Sequence, residues 1–88
     1  MPAYRVEVQR SAERDLERLS RPLFDRVTDR LAALADEPRP HGAEKLAGLE
    51  AYRIRIGDYR AVYEVDDAAG TVVVTRVRHR REVYRRLR

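Results

Sequence analysis

The densest structural signal in this 88-residue chain is the segment Tyr52-Arg-Ile-Arg-Ile-Gly-Asp-Tyr-Arg-Ala-Val-Tyr63. Apolar and polar residues alternate over residues 52–56 and 59–61, which is typical of half-buried strands. Between them lies Gly57-Asp58, a pair that favours the tight turn of a two-residue β-hairpin. The stretch therefore predicts two antiparallel strands joined directly to each other.

The length of this turn also predicts which residues face each other. It pairs Arg55 with Arg60, and side-chain alternation places Arg53 on the same face as both of them. The opposite face, predicted to pack on the helices, carries Ile54, Ile56, Tyr59, Ala61 and Tyr63. Like charges directly opposite each other destabilise a strand pair, so a sheet that keeps them is predicted to bind an anion such as phosphate. The alternative is that Arg53 and Arg55 form the hydrated face of an edge strand.

The residues before the hairpin predict one strand and two helices. Residues 3–9 alternate with period two and predict a strand. Ser11 is predicted to cap a first helix, and Ser20 and Pro22 open a second one that ends before residues 36–40. Apolar residues recur at helical spacing in both helices, which gives the helical hairpin one apolar side. They are Ala12, Leu16 and Leu19 in the first helix and Leu23, Val27, Leu31 and Leu34 in the second.

The residues after the hairpin complete an α+β fold. Residues 71–77 follow a turn at 66–70, and their consecutive valines favour a strand that is covered on both faces and therefore central. Residues 80–88 are predicted to form a short helix or a tail. The chain thus predicts a single domain over residues 1–88, in which an N-terminal strand and a three-stranded antiparallel meander form one four-stranded sheet with the helices on one face.

Composition and charge narrow the class of protein. The sequence has 43% hydrophobic and 39% charged residues and no cysteine, so it predicts a globular protein of the cytoplasm without disulfides, cysteine metal sites or a membrane span. Residues 1–50 carry nine basic and ten acidic groups, whereas residues 51–88 carry ten basic and five acidic groups. Eighteen of the 19 basic residues are arginine, which binds phosphate through paired hydrogen bonds. The basic C-terminal part predicts a nucleic-acid surface, or one that holds an acidic protein.

A second basic segment, residues 76–84, adds to the predicted anion site. Its candidate residues are Arg76, Arg78, His79, Arg80 and Tyr84. If the 71–77 strand pairs with the hairpin, Arg76 or Arg78 lies beside Arg60. Histidine transfers protons near neutral pH, tyrosine stacks on bases, and arginines stabilise charge on a phosphate in the transition state. Taken alone, His79 also fits an ordinary surface residue and Tyr84 a packing residue.

These residues resemble the sequence blocks of RelE-type toxins of the RelE/ParE superfamily. The resemblance lies in Tyr52-Arg-Ile-Arg-Ile56, in Gly57-Asp-Tyr-Arg-Ala-Val-Tyr63 and in Val77-Arg-His-Arg-Arg-Glu-Val-Tyr84. The element order and the Lys45-Leu46 and Gly48-Leu49 loop are similar too, so the resemblance covers the whole chain. It implies an endoribonuclease that enters the ribosomal A site, cuts the messenger RNA by attack of a 2′-hydroxyl on the phosphate, and needs neither a metal nor a cofactor.

The resemblance also implies a role for each site residue. Arg60 would hold the scissile phosphate, and Arg53 and Arg55 would neutralise charge in the transition state. Arg76 and Arg78 are expected to bind RNA phosphates because of the predicted strand pairing, not because of the resemblance. Tyr84 would stack on or orient the nucleotide, and Arg80 with His79 would assist the leaving 5′-oxygen. In the best-studied form of the motif, lysines stand where this chain has Arg53 and Arg55. Arginine stays protonated, so neither is expected to act as a general base.

The resemblance further implies an acidic antitoxin as partner, with a disordered segment that folds on binding. Two other functions remain open at this point. One is a non-catalytic inhibitor of DNA gyrase, of the ParE type, on the same scaffold. The other is a repurposed toxin that mainly binds its antitoxin as a co-repressor.

Overall fold

The computed structural model describes residues 4–48 and 50–81, which form a mixed sheet with two helices. The strands and helices follow in the order β1 (Arg5–Val8), α1 (Arg10–Glu17), α2 (Arg21–Ala32), a short 3₁₀ turn (Ala33–Ala35), β2 (Glu44–Lys45), β3 (Ala51–Ile56), β4 (Tyr59–Asp66) and β5 (Thr71–His79). The predicted α+β class is therefore confirmed, and so is the order of the helical hairpin and the meander.

The sheet has the strand order β1-β5-β4-β3-β2. β1 runs parallel to β5, and the other neighbours are antiparallel. β5 lies between β1 and β4, as its consecutive valines predicted. The sheet has five strands rather than the predicted four, because residues 44–45 pair with Tyr52 and Arg53 as an additional short edge strand. Two residues are too few to give a periodic signal in the sequence.

The N-terminal end of α1 differs from the prediction. Helix α1 begins at Arg10 with Gln9 as N-cap, so Ser11 lies in its first turn and is not the cap. The Ser11 hydroxyl instead donates a hydrogen bond to the carbonyl of Thr75, at 2.7 Å. This bond joins α1 to the part of β5 that β1 does not cover, since β1 pairs only with residues 71–74.

The core lies between the helices and one face of the sheet. Its buried members are Ala12, Leu16, Val27, Leu31, Leu34, Tyr52, Ile54, Ile56, Ala61, Tyr63, Val65, Val72, Val74 and Val77. Tyr63 is completely buried, and its hydroxyl donates a 2.7 Å hydrogen bond to the carbonyl of Pro38. Burial raises the pKa of Tyr63 to about 12. The strand face predicted to be apolar is thus the face that packs on the helices.

In the part of the chain that the structure describes, no helix is both long and apolar enough to cross a membrane. The predicted C-terminal helix or tail lies largely outside the described residues, which end at Arg81.

Candidate nucleic-acid interface

A row of three arginines crosses the sheet on the face opposite the core. Arg55 on β3 pairs with Arg60 on β4, as the two-residue turn predicted. Arg60 pairs in turn with Arg78 on β5. Residues directly opposite each other on neighbouring strands have Cα atoms ~4.5–5.5 Å apart, so this row concentrates three positive charges across three strands. We refer to the sheet face that carries this arginine row as the open face.

A second row lies beside the first one. Arg53 on β3 pairs with Val62 on β4, and Val62 pairs with Arg76 on β5. Val62 separates the two guanidinium groups of this row, so the open face carries five arginines around a small apolar centre. The sequence predicted that either Arg76 or Arg78 would lie beside the hairpin arginines, and the structure brings both to this face.

A β-bulge at Thr75 explains how both residues reach the open face. Val74 pairs with Tyr63 and Arg76 pairs with Val62, so Thr75 is one residue more than β4 can match. Simple alternation from Val74 would place Arg76 in the core. The extra residue reverses the alternation, which sends Val77 to the core and its two arginine neighbours to the open face. The Thr75 hydroxyl holds the bulge with a 3.1 Å hydrogen bond to the carbonyl of Val62.

Some hydrogen-bond donors of these arginines are buried without a partner. Among the described residues, neither Nε of Arg53 nor Nη1 of Arg60 has a hydrogen-bond acceptor, although both atoms are buried. The Nη2 atom of Arg53 contacts Glu44 at 3.3 Å, and Arg55 is exposed, with its Nε donating to the carbonyl of Gly57. Buried donors without an acceptor cost free energy, which makes them rare in proteins without a ligand to bind. The centre of the open face is therefore suited to an anionic oxygen.

Asp15 was not among the predicted site residues, and it joins α1 to the open face. Its carboxylate accepts hydrogen bonds from Arg76 Nε at 3.0 Å, from Arg76 Nη2 at 3.2 Å and from the backbone N–H of Val77 at 2.9 Å. It also lies 3.5 Å from Nε of Arg78. Burial alone would raise the pKa of Asp15, but the hydrogen bonds from Arg76 and Val77 and the charges of Arg76 and Arg78 hold it below its ordinary value. A buried acidic residue within the apolar stripe of a helix is a signal that could have found it.

The remaining candidate residues lie elsewhere. His79 pairs with Tyr59, whose ring packs against the core, and the two rings meet edge to face at 5.3 Å. His79 is therefore on the helix side of β5, not in the arginine row, and its Nδ1 accepts a hydrogen bond from the N–H of Arg81. Arg80 is exposed at the end of β5, where its N–H bonds the carbonyl of Asp58. Tyr84 lies outside the described residues.

The other end of the open face is acidic. A groove of about 630 Å³ lies there, lined by Glu50, Ala51, Glu64, Val65, Asp66, Asp67, Thr71 and Val73. The open face thus changes from positive at the row of Arg60 to negative at the row of Glu64. A polyanion is attracted to the arginine end of the open face and repelled by the acidic end, so it should bind at the arginine end. Within residues 4–48 and 50–81 no cluster of three or more acidic, histidine or cysteine residues is arranged to hold a metal ion.

A sequence profile identifies the family. Residues 6–84 match the profile described as the ParE toxin of type II toxin–antitoxin systems, parDE. This chain belongs to the RelE/ParE superfamily of toxins. Its type II toxin character follows from this match and agrees with the resemblance drawn from the hairpin and the 77–84 block.

The relatives and solved structures to which this RelE/ParE toxin is similar include toxins named RelG and RelE. It is 37% identical over 87 residues to Toxin RelG of Mycobacterium tuberculosis, covering 94% of this chain and 98% of that protein. Its structure matches the RelBE2 toxin–antitoxin complex of the same organism, with a TM-score of 0.79, 32% identity, and 90% and 93% of the two chains covered. It also matches the free state of an Escherichia coli RelE variant in which two arginines are replaced by alanine, with a TM-score of 0.75, 26% identity, and 97% and 93% coverage.

Proposed function

We propose that this toxin is a ribosome-dependent endoribonuclease that cuts messenger RNA in the cytoplasm and thereby inhibits translation. The observation that carries the proposal is the position of Arg60. It lies between Arg55 and Arg78 on the open face, with the Nη1 atom buried and without an acceptor among the described residues. The scissile phosphate of an RNA strand supplies the negative charge and the acceptor oxygens that this position needs.

The proposed reaction is attack of the 2′-hydroxyl on the adjacent phosphorus. A bond forms between the 2′-oxygen and phosphorus, and the bond to the 5′-oxygen of the next nucleotide breaks. The products are a 2′,3′-cyclic phosphate and a free 5′-hydroxyl. The 2′-hydroxyl loses its proton and the leaving 5′-oxygen gains one, while the phosphorus centre carries more negative charge in the transition state. Fixed positive groups lower the energy of that state.

The arginines of the open face provide this stabilisation. Arg60 would bind the non-bridging oxygens of the scissile phosphate. Arg53 and Arg55 would approach it from β3, where the Nε of Arg53 is buried and unpartnered among the described residues. Arg76 and Arg78 would hold the RNA backbone from β5. None of the five is expected to accept a proton, since arginine remains protonated at neutral pH.

Proton transfer is assigned to Tyr84, which lies outside the described residues, and to Arg80. Tyr84 is proposed to orient the nucleotide and to assist removal of the 2′-hydroxyl proton, and the exposed Arg80 to assist the leaving 5′-oxygen. His79 packs on Tyr59 on the other side of the strand, so we give it no contact with the scissile phosphate in this conformation.

We further propose that an acidic antitoxin binds and silences the toxin. Support comes from structural neighbours that are toxin–antitoxin complexes: RelBE2 of Mycobacterium tuberculosis, and an archaeal RelE–RelB complex of Pyrococcus horikoshii with a TM-score of 0.77 and 25% identity. The charge of this chain fits such a partner, since residues 51–88 carry ten basic and five acidic groups. Charge of opposite sign accelerates association.

Inhibition of DNA gyrase is the second candidate function, because the matching profile is that of ParE toxins. Induction of the wild-type chain in bacteria beside Arg60→Ala separates the two. The ribonuclease predicts new messenger 5′ ends inside translated codons, which Arg60→Ala abolishes, with normal DNA supercoiling. Growth arrest with intact messengers and impaired supercoiling would instead establish the gyrase inhibitor, and the arginine row would then be a protein-binding surface.

A further inference from the structure

The carboxylate of Asp15 lies where α1 packs beside the part of β5 that does not pair with β1. It is next to two arginines of the open face. Its side chain is only 6% exposed. β1 pairs with β5 as far as Val74, so the N–H of Val77 has no strand beside it. The 2.9 Å hydrogen bond from that N–H to Asp15 replaces the missing strand. This fixes the carboxylate against the backbone of the strand that carries Arg76 and Arg78.

The carboxylate holds Arg76 in a defined orientation. The two hydrogen bonds from Arg76 use Nε and Nη2, at 3.0 and 3.2 Å, so that the planar guanidinium lies side-on against the carboxylate. Such paired contacts fix the plane of the group as well as its position. The Nη1 atom takes no part in either bond and lies at the far side of the guanidinium. A neighbouring contact at 3.5 Å from Nε of Arg78 brings the second arginine to the same carboxylate.

We propose that Asp15 is a positioning residue of the ribonuclease site. It orients Arg76 and Arg78 so that they can bind the same RNA backbone as Arg60. Arginine side chains are long and lose substantial conformational entropy when they are ordered. A buried carboxylate that orders two of them beforehand removes that cost from the step that reaches the transition state. The inference rests on the proposed function, because it assigns the arginines to RNA phosphates.

Replacing Asp15 distinguishes a positioning role from a purely electrostatic effect on RNA binding. Removing its negative charge makes the chain more basic, so electrostatics alone predicts tighter binding of RNA. Loss of positioning predicts a slower chemical step. Asp15→Asn is the suitable variant, because the amide oxygen still accepts the Val77 N–H while the charge that holds the arginines is removed. Asp29→Asn on the exposed face of α2 is the control with the same change of charge.

The test is single-turnover and steady-state cleavage of messenger RNA on programmed ribosomes by the purified chain, normalised to folded protein by circular dichroism. For Asp15→Asn we expect kcat to fall about 10- to 100-fold with KM unchanged or lower, and Asp29→Asn to match wild type. Arg76→Gln should cause a similar fall, and the double variant Asp15→Asn/Arg76→Gln should lose clearly less than the product of the two single effects, because Asp15 acts largely through Arg76. If the two effects multiply, or if Asp15→Asn cleaves at the wild-type rate, Asp15 does not act through Arg76 and the inference is wrong.

A second measurement does not depend on cleavage. NMR of the arginine Nε–H groups, during titration with inorganic phosphate, should show Arg60 and Arg76 shifting together with one dissociation constant in the wild type. In Asp15→Asn the Arg76 signal should lose its protection from solvent exchange and no longer follow Arg60. Coupled shifts in both proteins would contradict the positioning role. A wild type that binds phosphate in this way but cuts no RNA would overturn the proposed function while leaving the positioning role in place.

Discussion

Replacing Arg60 with methionine is expected to stabilise the free toxin while it removes the anion site. Methionine keeps the apolar stem of the side chain but has no charge and no N–H group. In the wild type, Arg60 faces Arg55 on one side and Arg78 on the other, and its buried Nη1 has no acceptor among the described residues. The free protein therefore carries an unfavourable arrangement that a bound phosphate would relieve.

The size of the effect follows from these contacts. Each pair of like charges directly opposite on neighbouring strands costs ~0.2–1 kcal/mol, and Arg60 forms two such pairs. A buried donor without an acceptor adds ~1–3 kcal/mol. Because Arg60 is only partly buried, we expect a value near the bottom of the combined range of ~1.4–5 kcal/mol, about 1.5–2 kcal/mol of added stability. For a chain of 88 residues this corresponds to an increase in Tm of about 6–16 °C.

Thermal unfolding at low ionic strength, with and without sulfate, measures both parts of the prediction. Sulfate should raise the Tm of the wild type by binding the native state, and should raise that of Arg60→Met less. Arg30→Met on the exposed face of α2 is the control, because it removes one positive charge away from the open face. It also reports the general stabilisation by sulfate. If Arg60→Met is less stable than the wild type, then Arg60 is not under charge repulsion. If its Tm rises as much with sulfate as that of the wild type, then Arg60 does not bind anions.

Three further predictions concern stability. Tyr63→Phe should lower the free energy of unfolding by ~1–3 kcal/mol, because it leaves the buried carbonyl of Pro38 without its donor. Urea unfolding measures this difference. The control is Tyr59→Phe at a partly buried position, which should stay within about 0.5 kcal/mol of wild type. Asp15 has a lowered pKa in the folded chain, so its contribution is fully present above its unfolded value of 3.8 and is lost as the pH falls through the folded value. The stability difference between wild type and Asp15→Asn should therefore be constant from pH 7 to 5. It should shrink below pH 4, which is approximately the pKa of Asp15 in the unfolded chain. A difference that does not depend on pH would contradict the ion pair. Gly57→Ala should cost about 1 kcal/mol, because Gly57 has a φ of +61° in the hairpin turn, and an unchanged urea midpoint would show that the turn tolerates a side chain.

The hairpin was predictable because each of its features is local. The two-residue turn at Gly57-Asp58 determines the register, and the register determines that Arg55 faces Arg60. The same local rules predicted the helical hairpin from its apolar spacing. They also predicted the central position of β5 from its run of valines.

The features that were not predicted depend on contacts between distant parts of the chain. The bulge at Thr75 has no marker in the sequence, and it decides that Arg76 lies on the open face. Asp15 contacts Arg76 across 61 positions of sequence, so its role is visible only once α1 lies against β5. Ser11 was assigned to a helix cap from its local context, whereas its hydroxyl bonds a strand carbonyl 64 positions away. Local propensity does not contain such information.

In the proposed reaction, the open face binds a messenger phosphate while the 2′-hydroxyl of the RNA attacks it. The most direct test is cleavage on programmed ribosomes of two messengers that differ only by one 2′-deoxy nucleotide, placed immediately 5′ of the cut site. The all-ribose messenger should be cut to a 2′,3′-cyclic phosphate and a 5′-hydroxyl end. The messenger with the single deoxy nucleotide should bind and remain intact. Cleavage of both messengers at equal rates would contradict the mechanism, and absence of cleavage of either would contradict the ribonuclease itself.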